Sequence, residues 1–129
     1  MLELGFAGFL LAHAGVHASF LAPRPPAKEG APAWPFDSSR SWLLTPLGVG
    51  AHALRLLVLA LVAVTIGGYA LCAIGILGLL PAELATASLV LASTASLGLL
   101  AIFFHPWLII GVLIDAALVF VALTGTLSA

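Results

Sequence analysis

The sequence predicts an all-α integral membrane protein, a four-helix transmembrane bundle with a proline-rich interfacial loop between its first two helices. Of its 129 residues, 63% are hydrophobic and 7% are charged, and the mean hydropathy is +1.26. In a soluble domain about a quarter of the residues are charged, so this chain has too few to cover a surface facing water. The apolar stretches allow four crossings of about 20 residues each, which we assign to one membrane domain over residues 1–129.

The first predicted span covers residues 2–22 and lacks the features of a cleaved signal. Glu3 stands where a signal peptide has basic residues, and no small-residue cleavage motif precedes Pro23. Pro23 ends the helix because proline cannot continue it. We therefore expect a retained transmembrane segment.

A polar segment over residues 23–46 follows the first span and contains six of the eight prolines. Its aromatic side chains Trp34, Phe36 and Trp42 suit the headgroup zone, where amphipathic rings are enriched. We expect this loop to lie on the membrane surface.

Three further spans are predicted over residues 47–76, 82–103 and 106–127. Pro81 separates the second span from the third, and Pro106 separates the third from the fourth. A single helix through both of the last two spans would be about 69 Å long, roughly twice the bilayer. The chain must therefore fold back between them.

The basic residues predict the orientation, because loops rich in lysine and arginine stay in the cytoplasm. Three of the four basic residues lie in the 23–46 loop, so we place this loop inside and both termini outside. In size and number of spans only, the chain resembles small bacterial membrane-protein families, the DoxX-like group among them. We expect the chain to lie in a bacterial inner (plasma) membrane.

The net charge of −1 and the lack of a basic patch give no indication of a nucleic-acid partner. The expected partners are the lipid bilayer and either a second copy of the chain or a larger membrane complex. Cys72 is the single cysteine, so it forms no disulfide within the chain.

Asp115 is the most informative residue, because it places a carboxylate in the apolar run GVLIDAALVF. Counted from the cytoplasmic ends of their spans, His13, Arg55 and Asp115 each lie about 12–13 Å deep. A lone charge at mid-bilayer costs about 2.5–3.5 kcal/mol, and arginine cannot lose its proton to avoid that cost. We therefore predict a buried Arg55–Asp115 ion pair with His13 beside it, and His17 and His52 nearer the cytoplasmic face.

These five residues are the candidates for ligand binding or proton relay, since ionisable groups inside a membrane commonly serve such roles. The alternative is that the ion pair only fixes which helix faces meet. We assign Tyr69 to the outer aromatic belt. The small residues of the first span, and Ser93 and Ser96 of the third, are assigned to helix packing.

His13 and His17 are one helical turn apart, and two imidazoles so placed can hold a metal ion. His52 or Asp115 would supply a third ligand, which makes His13, His17 and His52 weak metal candidates. Haem between two helices would pair His13 or His17 with His52. The sequence does not identify a cofactor.

Three functions remain open at this level. The first is binding or transport of a small molecule, linked to protons through the polar site, with a homodimer needed to line a path. The second is a structural or accessory subunit of a larger membrane complex. The third is a redox protein that uses metal, haem or quinone. No serine–histidine–acid, P-loop or glycine-rich nucleotide pattern is present, so no catalytic residue is assigned and an enzyme is the less expected outcome.

Overall fold

The computed structural model describes residues 1–23, 29–30 and 34–125, and within these ranges it is all-helical, with no strand. The all-α prediction is therefore confirmed. The elements are α1 (Leu2–Ser19), α2 (Ala51–Ile76), α3 (Ala82–Ile102) and α4 (Ile109–Leu123), with a 3₁₀ turn over Pro106–Leu108 leading into α4.

Three of the helical segments are long and apolar enough to cross a membrane: α2, α3, and α4 together with its 3₁₀ turn. α1 is not one of them. It contains 18 residues, and Glu3, His13 and His17 lower its hydropathy. Length and composition therefore support a membrane location through three segments.

The helix bounds differ from the predicted spans mainly at the start of α2. Residues 42–48 form turns, and Gly48 has a φ of 84°, a left-handed conformation that suits glycine. α2 consequently begins at Ala51, four residues later than predicted. The predicted end of the fourth span, at 127, lies outside the described residues.

α1 packs against α2, α2 against α3, and α3 against α4. The α2–α3 contact is close because glycines of α2 face alanines of α3. A Cβ atom added at Gly68 would lie 2.8 Å from Ala92 Cβ and 2.9 Å from the carbonyl oxygen of Ser88, and Gly75 faces Ala85 in the same way. Small residues thus set the distance between these two helices.

Two apolar clusters fill the interior, one towards each end of the bundle. The cluster near the chain termini joins all four helices and comprises Ala7, Leu10, Ala14, Tyr69, Cys72, Ala73, Leu89, Ala92, Leu118 and Ala122. The cluster on the loop side joins α2, α3 and the 3₁₀ turn to the loop and comprises Phe36, Leu54, Val58, Val62, Leu99, Leu100, Phe103 and Leu108. A layer of polar side chains lies between them.

The described part of the loop packs on the end of α3. Ser41 Oγ donates a hydrogen bond to the carbonyl oxygen of Ile102 at 2.5 Å, and Trp42 Nε1 donates to that of Ala101 at 2.7 Å. These carbonyls belong to the last turn of a helix and have no partner within it. The ring of Phe36 stacks on Phe20, with centroids 4.3 Å apart, which ties the loop to the end of α1 as well.

Candidate functional site

Asp115 is fully buried and is the shared acceptor of three hydrogen bonds from three other helices. His13 Nε2 of α1 lies 2.9 Å from Oδ1, and the Tyr69 hydroxyl of α2 donates to the same oxygen at 2.5 Å. Ser96 Oγ of α3 donates to Oδ2. The carboxylate therefore joins all four helices at one level of the bundle.

Two further side chains form an outer ring around these contacts. His17 Nε2 lies 2.9 Å from Ser96 Oγ, and Ser93 Oγ lies 3.2 Å from the Tyr69 hydroxyl. His13 and His17 occupy the same face of α1 one turn apart, with ring centroids 5.0 Å apart. We call His13, His17, Tyr69, Ser93, Ser96 and Asp115 the polar layer.

The direction of each hydrogen bond follows from the number of protons available. The single hydroxyl proton of Ser96 goes to Asp115, so His17 Nε2 must be the donor to Ser96. A neutral His17 then has an unprotonated Nδ1. This atom is buried and has no hydrogen-bond partner among the described residues. The polar layer therefore contains one buried acceptor that the chain leaves unsatisfied.

Arg55 is not part of the layer, and the predicted Arg55–Asp115 ion pair is wrong. Arg55 is exposed, whereas the basic side chain that contacts Asp115 within the described ranges is His13. Tyr69 is the α2 residue at the level of Asp115, and Arg55 precedes it by 14 residues, about 21 Å along the helix axis. The depth estimate failed because α2 extends well beyond the layer on the loop side.

His52 lies still farther from the layer, about 26 Å before Tyr69 along α2, and it is exposed. It therefore cannot be a third ligand to a metal held by His13 and His17. For the same reason it cannot share a haem with either of them. The haem arrangement predicted from sequence is excluded for these residues.

A compact set of metal-ligating atoms does exist within the layer. One ligand atom each from His13, His17 and Asp115 lies within 4.8 Å of the others. A metal ion bound through Nε2 of His17 would shift the proton of that ring to Nδ1. The buried Nδ1–H would then lack an acceptor, whereas metal-bound histidines normally donate that proton to a partner.

Tyr69, Ser93 and Ser96 also belong to the layer, although the sequence pattern had indicated an outer aromatic belt for Tyr69 and helix packing for the two serines. All three are buried. Ser93 and Ser96 are three residues apart, which places them on one face of α3 and was a usable signal. Tyr69 could not be found by counting from the loop, because the loop-side end of α2 does not align with the other helix ends.

The predicted packing of the small residues of α1 against the other helices of the chain is also wrong. Gly5, Gly8 and Gly15 are exposed, and a Cβ atom added at any of them would meet nothing within 4 Å. The close helix contacts are made by the glycines of α2 instead.

A cleft of about 330 Å³ lies between α1 and α4 and reaches the polar layer from the loop side. His13 and His17 are at its deep end. Its walls are apolar, and Trp34 and Trp107 lie on the loop side of it. The complete lining is His13, Val16, His17, Ser19, Phe20, Trp34, Pro35, Leu100, Trp107, Leu108, Ile110, Gly111 and Ile114.

Fold and site together define a helical protein with three segments able to cross a membrane and a buried carboxylate–histidine layer. Comparison of the chain with protein families, with curated proteins and with solved structures finds no match. The functional interpretation therefore depends on the geometry of the layer and of the cleft.

Proposed function

We propose that this chain is an integral membrane protein that binds a small amphipathic molecule in the cleft between α1 and α4. The polar end of this molecule contacts His13 and His17, and its apolar part lies along the cleft walls. The observation that supports this most directly is the unsatisfied Nδ1 of His17 in a side chain that lines the cleft. A buried acceptor without a partner costs about 1–3 kcal/mol, which a ligand carrying a hydrogen-bond donor would recover.

The surface of the bundle supports insertion of all four helices. Large apolar side chains on the outside include Phe9, Leu59, Ile110, Leu113 and Phe120, each 42% exposed or more. α1 is less apolar overall, yet both of its histidines are buried in the polar layer while Leu4 and Leu11 face outward. Its outer face therefore suits lipid once the bundle has formed.

The orientation proposed here is the one indicated by the basic residues, with the loop on the cytoplasmic side of a bacterial inner membrane. The cleft reaches the layer from that same side. Towards the termini the layer borders the apolar cluster that contains Leu10, Leu89 and Leu118. Access from one side is typical of a binding site, and transport through a path would need a second copy of the chain.

Tryptophan fluorescence tests the binding proposal. In a Trp42→Phe background the signal comes from Trp34 and Trp107, which line the cleft. The protein is reconstituted in lipid nanodiscs and titrated with 1-decanol as the probe. We expect a saturable change in emission, because the decyl chain displaces solvent or lipid next to these two indoles.

A cleft-filling variant provides the specificity control. Val16→Phe places a larger side chain in the cleft and should abolish the saturable change. Leu11→Phe adds comparable bulk on an exposed part of α1 that does not line the cleft, so it should leave the titration unchanged. The same response in both variants, or no saturable response in the unmodified cleft, contradicts the proposal.

The second candidate function is an accessory subunit of a membrane complex, and the outer face of α1 favours it. Gly5, Gly8, Ala12 and Gly15 form an exposed row of small residues that would allow another helix to approach closely. A protein that co-purifies in a fixed ratio after mild detergent extraction would support this function. A species that contains the chain alone would argue against it.

A further inference from the structure

We infer that the ligand of the cleft is a lipophilic organic cation with an N–H donor, a primary alkylammonium in chemical type. This inference rests on the proposed function and specifies the ligand class. It follows from the charge of the polar layer and from the direction of its hydrogen bonds.

The hydrogen bonds of the layer leave one acceptor for a ligand. Every donor of the layer whose direction is determined points towards Asp115: Tyr69 and Ser96 directly, and His17 through Ser96. The acceptor at Nδ1 of His17 remains, on a side chain that lines the cleft. A ligand that carries only acceptors would leave it unsatisfied, whereas an N–H or O–H group would satisfy it.

The charged side chains of the layer favour a cationic ligand. Asp115 is a carboxylate, and Arg55, the basic side chain predicted to pair with it, is exposed and outside the layer. Neither the layer nor the described lining of the cleft contains a lysine or an arginine. The carboxylate therefore favours a cation over an anion.

Three probes with the same decyl chain separate these contributions: decylammonium, decyltrimethylammonium and 1-decanol. The first has charge and a donor, the second has charge alone, and the third has a donor alone. Affinity is measured by the tryptophan fluorescence titration in nanodiscs, with the Trp42→Phe background. We expect decylammonium to bind about tenfold more tightly than either of the other two.

Variants show which residue recognises the charge of the ligand and which recognises its hydrogen-bond donor. Asp115→Asn should reduce the preference for decylammonium over decanol to about one, while Glu83→Gln, which removes an exposed carboxylate from the start of α3, should preserve it. His17→Leu should remove the preference for decylammonium over decyltrimethylammonium and preserve the preference for charge. Size-exclusion chromatography and circular dichroism check that each variant is folded.

The comparison of the three probes, with decanoate as a fourth, uses the unmodified chain, so the inference stays testable if Asp115→Asn does not fold. Equal affinities for decylammonium and decanol, or tighter binding of decanoate, would overturn the cation inference while the binding proposal stands. Failure of all probes to bind would contradict both.

Discussion

Asp115 joins the four helices because its carboxylate has two oxygens, which together can accept several hydrogen bonds. Tyr69, Ser96 and His13 come from three separate helices and share this single acceptor. Hydrogen bonds between transmembrane helices contribute about 0.6 kcal/mol on average and about 1.7 kcal/mol at most, and those to charged groups are the strongest. The Tyr69 contact is short and fully buried, so we place it near the upper limit.

Removal of the Tyr69 hydroxyl tests this estimate. Tyr69→Phe should lower the free energy of unfolding by about 1–2 kcal/mol, measured by denaturant unfolding in detergent micelles. Thr65→Val is the matched control one turn away on α2, because Thr65 is buried and its hydroxyl has no partner within the described ranges. This control should be neutral or slightly stabilising, and a larger loss for Thr65→Val than for Tyr69→Phe would contradict the estimate.

α2 has 26 residues and is the longest helix, and its two halves have different roles. Its second half supplies Tyr69 to the polar layer and packs closely on α3. Its first half extends past the layer and packs through Leu54 and Val58 against the loop side of the bundle. The contact between Gly68 and Ala92 fixes how near α2 and α3 lie, and therefore whether Tyr69 reaches Asp115.

Two adjacent glycines of α2 test the importance of this close contact. Gly68→Ala should lower the free energy of unfolding by about 1–3 kcal/mol, because the new Cβ atom would overlap with Ala92 and with a backbone carbonyl oxygen. Gly67→Ala should be neutral or stabilising by up to about 1 kcal/mol, since nothing lies within 4 Å of that position. The same denaturant titration measures both, and equal effects would show that the helices can separate without cost.

At the scale of the whole molecule, the polar layer and the cleft give the bundle two unlike ends. The loop end of the bundle contains the cleft and the exposed Arg55. At the other end, near the chain termini, an apolar cluster lies directly against the layer. With the bundle inserted as proposed, a ligand would therefore reach the layer from one side of the membrane. The orientation of the chain decides whether that side is the cytoplasm.

Cysteine labelling tests the orientation, with Cys72→Ala as the background because Cys72 is the single, buried cysteine. The Glu29→Cys variant places a thiol in the loop, and the Glu83→Cys variant places one at the opposite end of the bundle. In intact bacterial cells, a membrane-impermeant maleimide should label the Glu83→Cys variant alone. Labelling of the Glu29→Cys variant before the cells are permeabilised would reverse the orientation, and with it the side from which the cleft opens.

The sequence determined the helical class, the positions of the breaks and the importance of Asp115. The composition provides too few charged residues for a surface facing water, proline cannot continue the interior of a helix, and a carboxylate inside an apolar run needs partners. These are local properties that do not depend on how the helices are arranged. The convergence of His13, His17 and Asp115 was also within reach, because α1, α3 and α4 end at similar levels on the loop side.

The tertiary structure alone decided which partners Asp115 has. Arg55 and Tyr69 lie on the same helix, and only the offset of α2 relative to the other helices selects Tyr69. That offset arises from the packing of Gly68 and Gly75 against α3, a contact between residues far apart in sequence. The same arrangement decided that the small residues of α1 face outward and that a cleft opens between α1 and α4, because the spacing of residues along a helix does not specify the neighbour that each face meets.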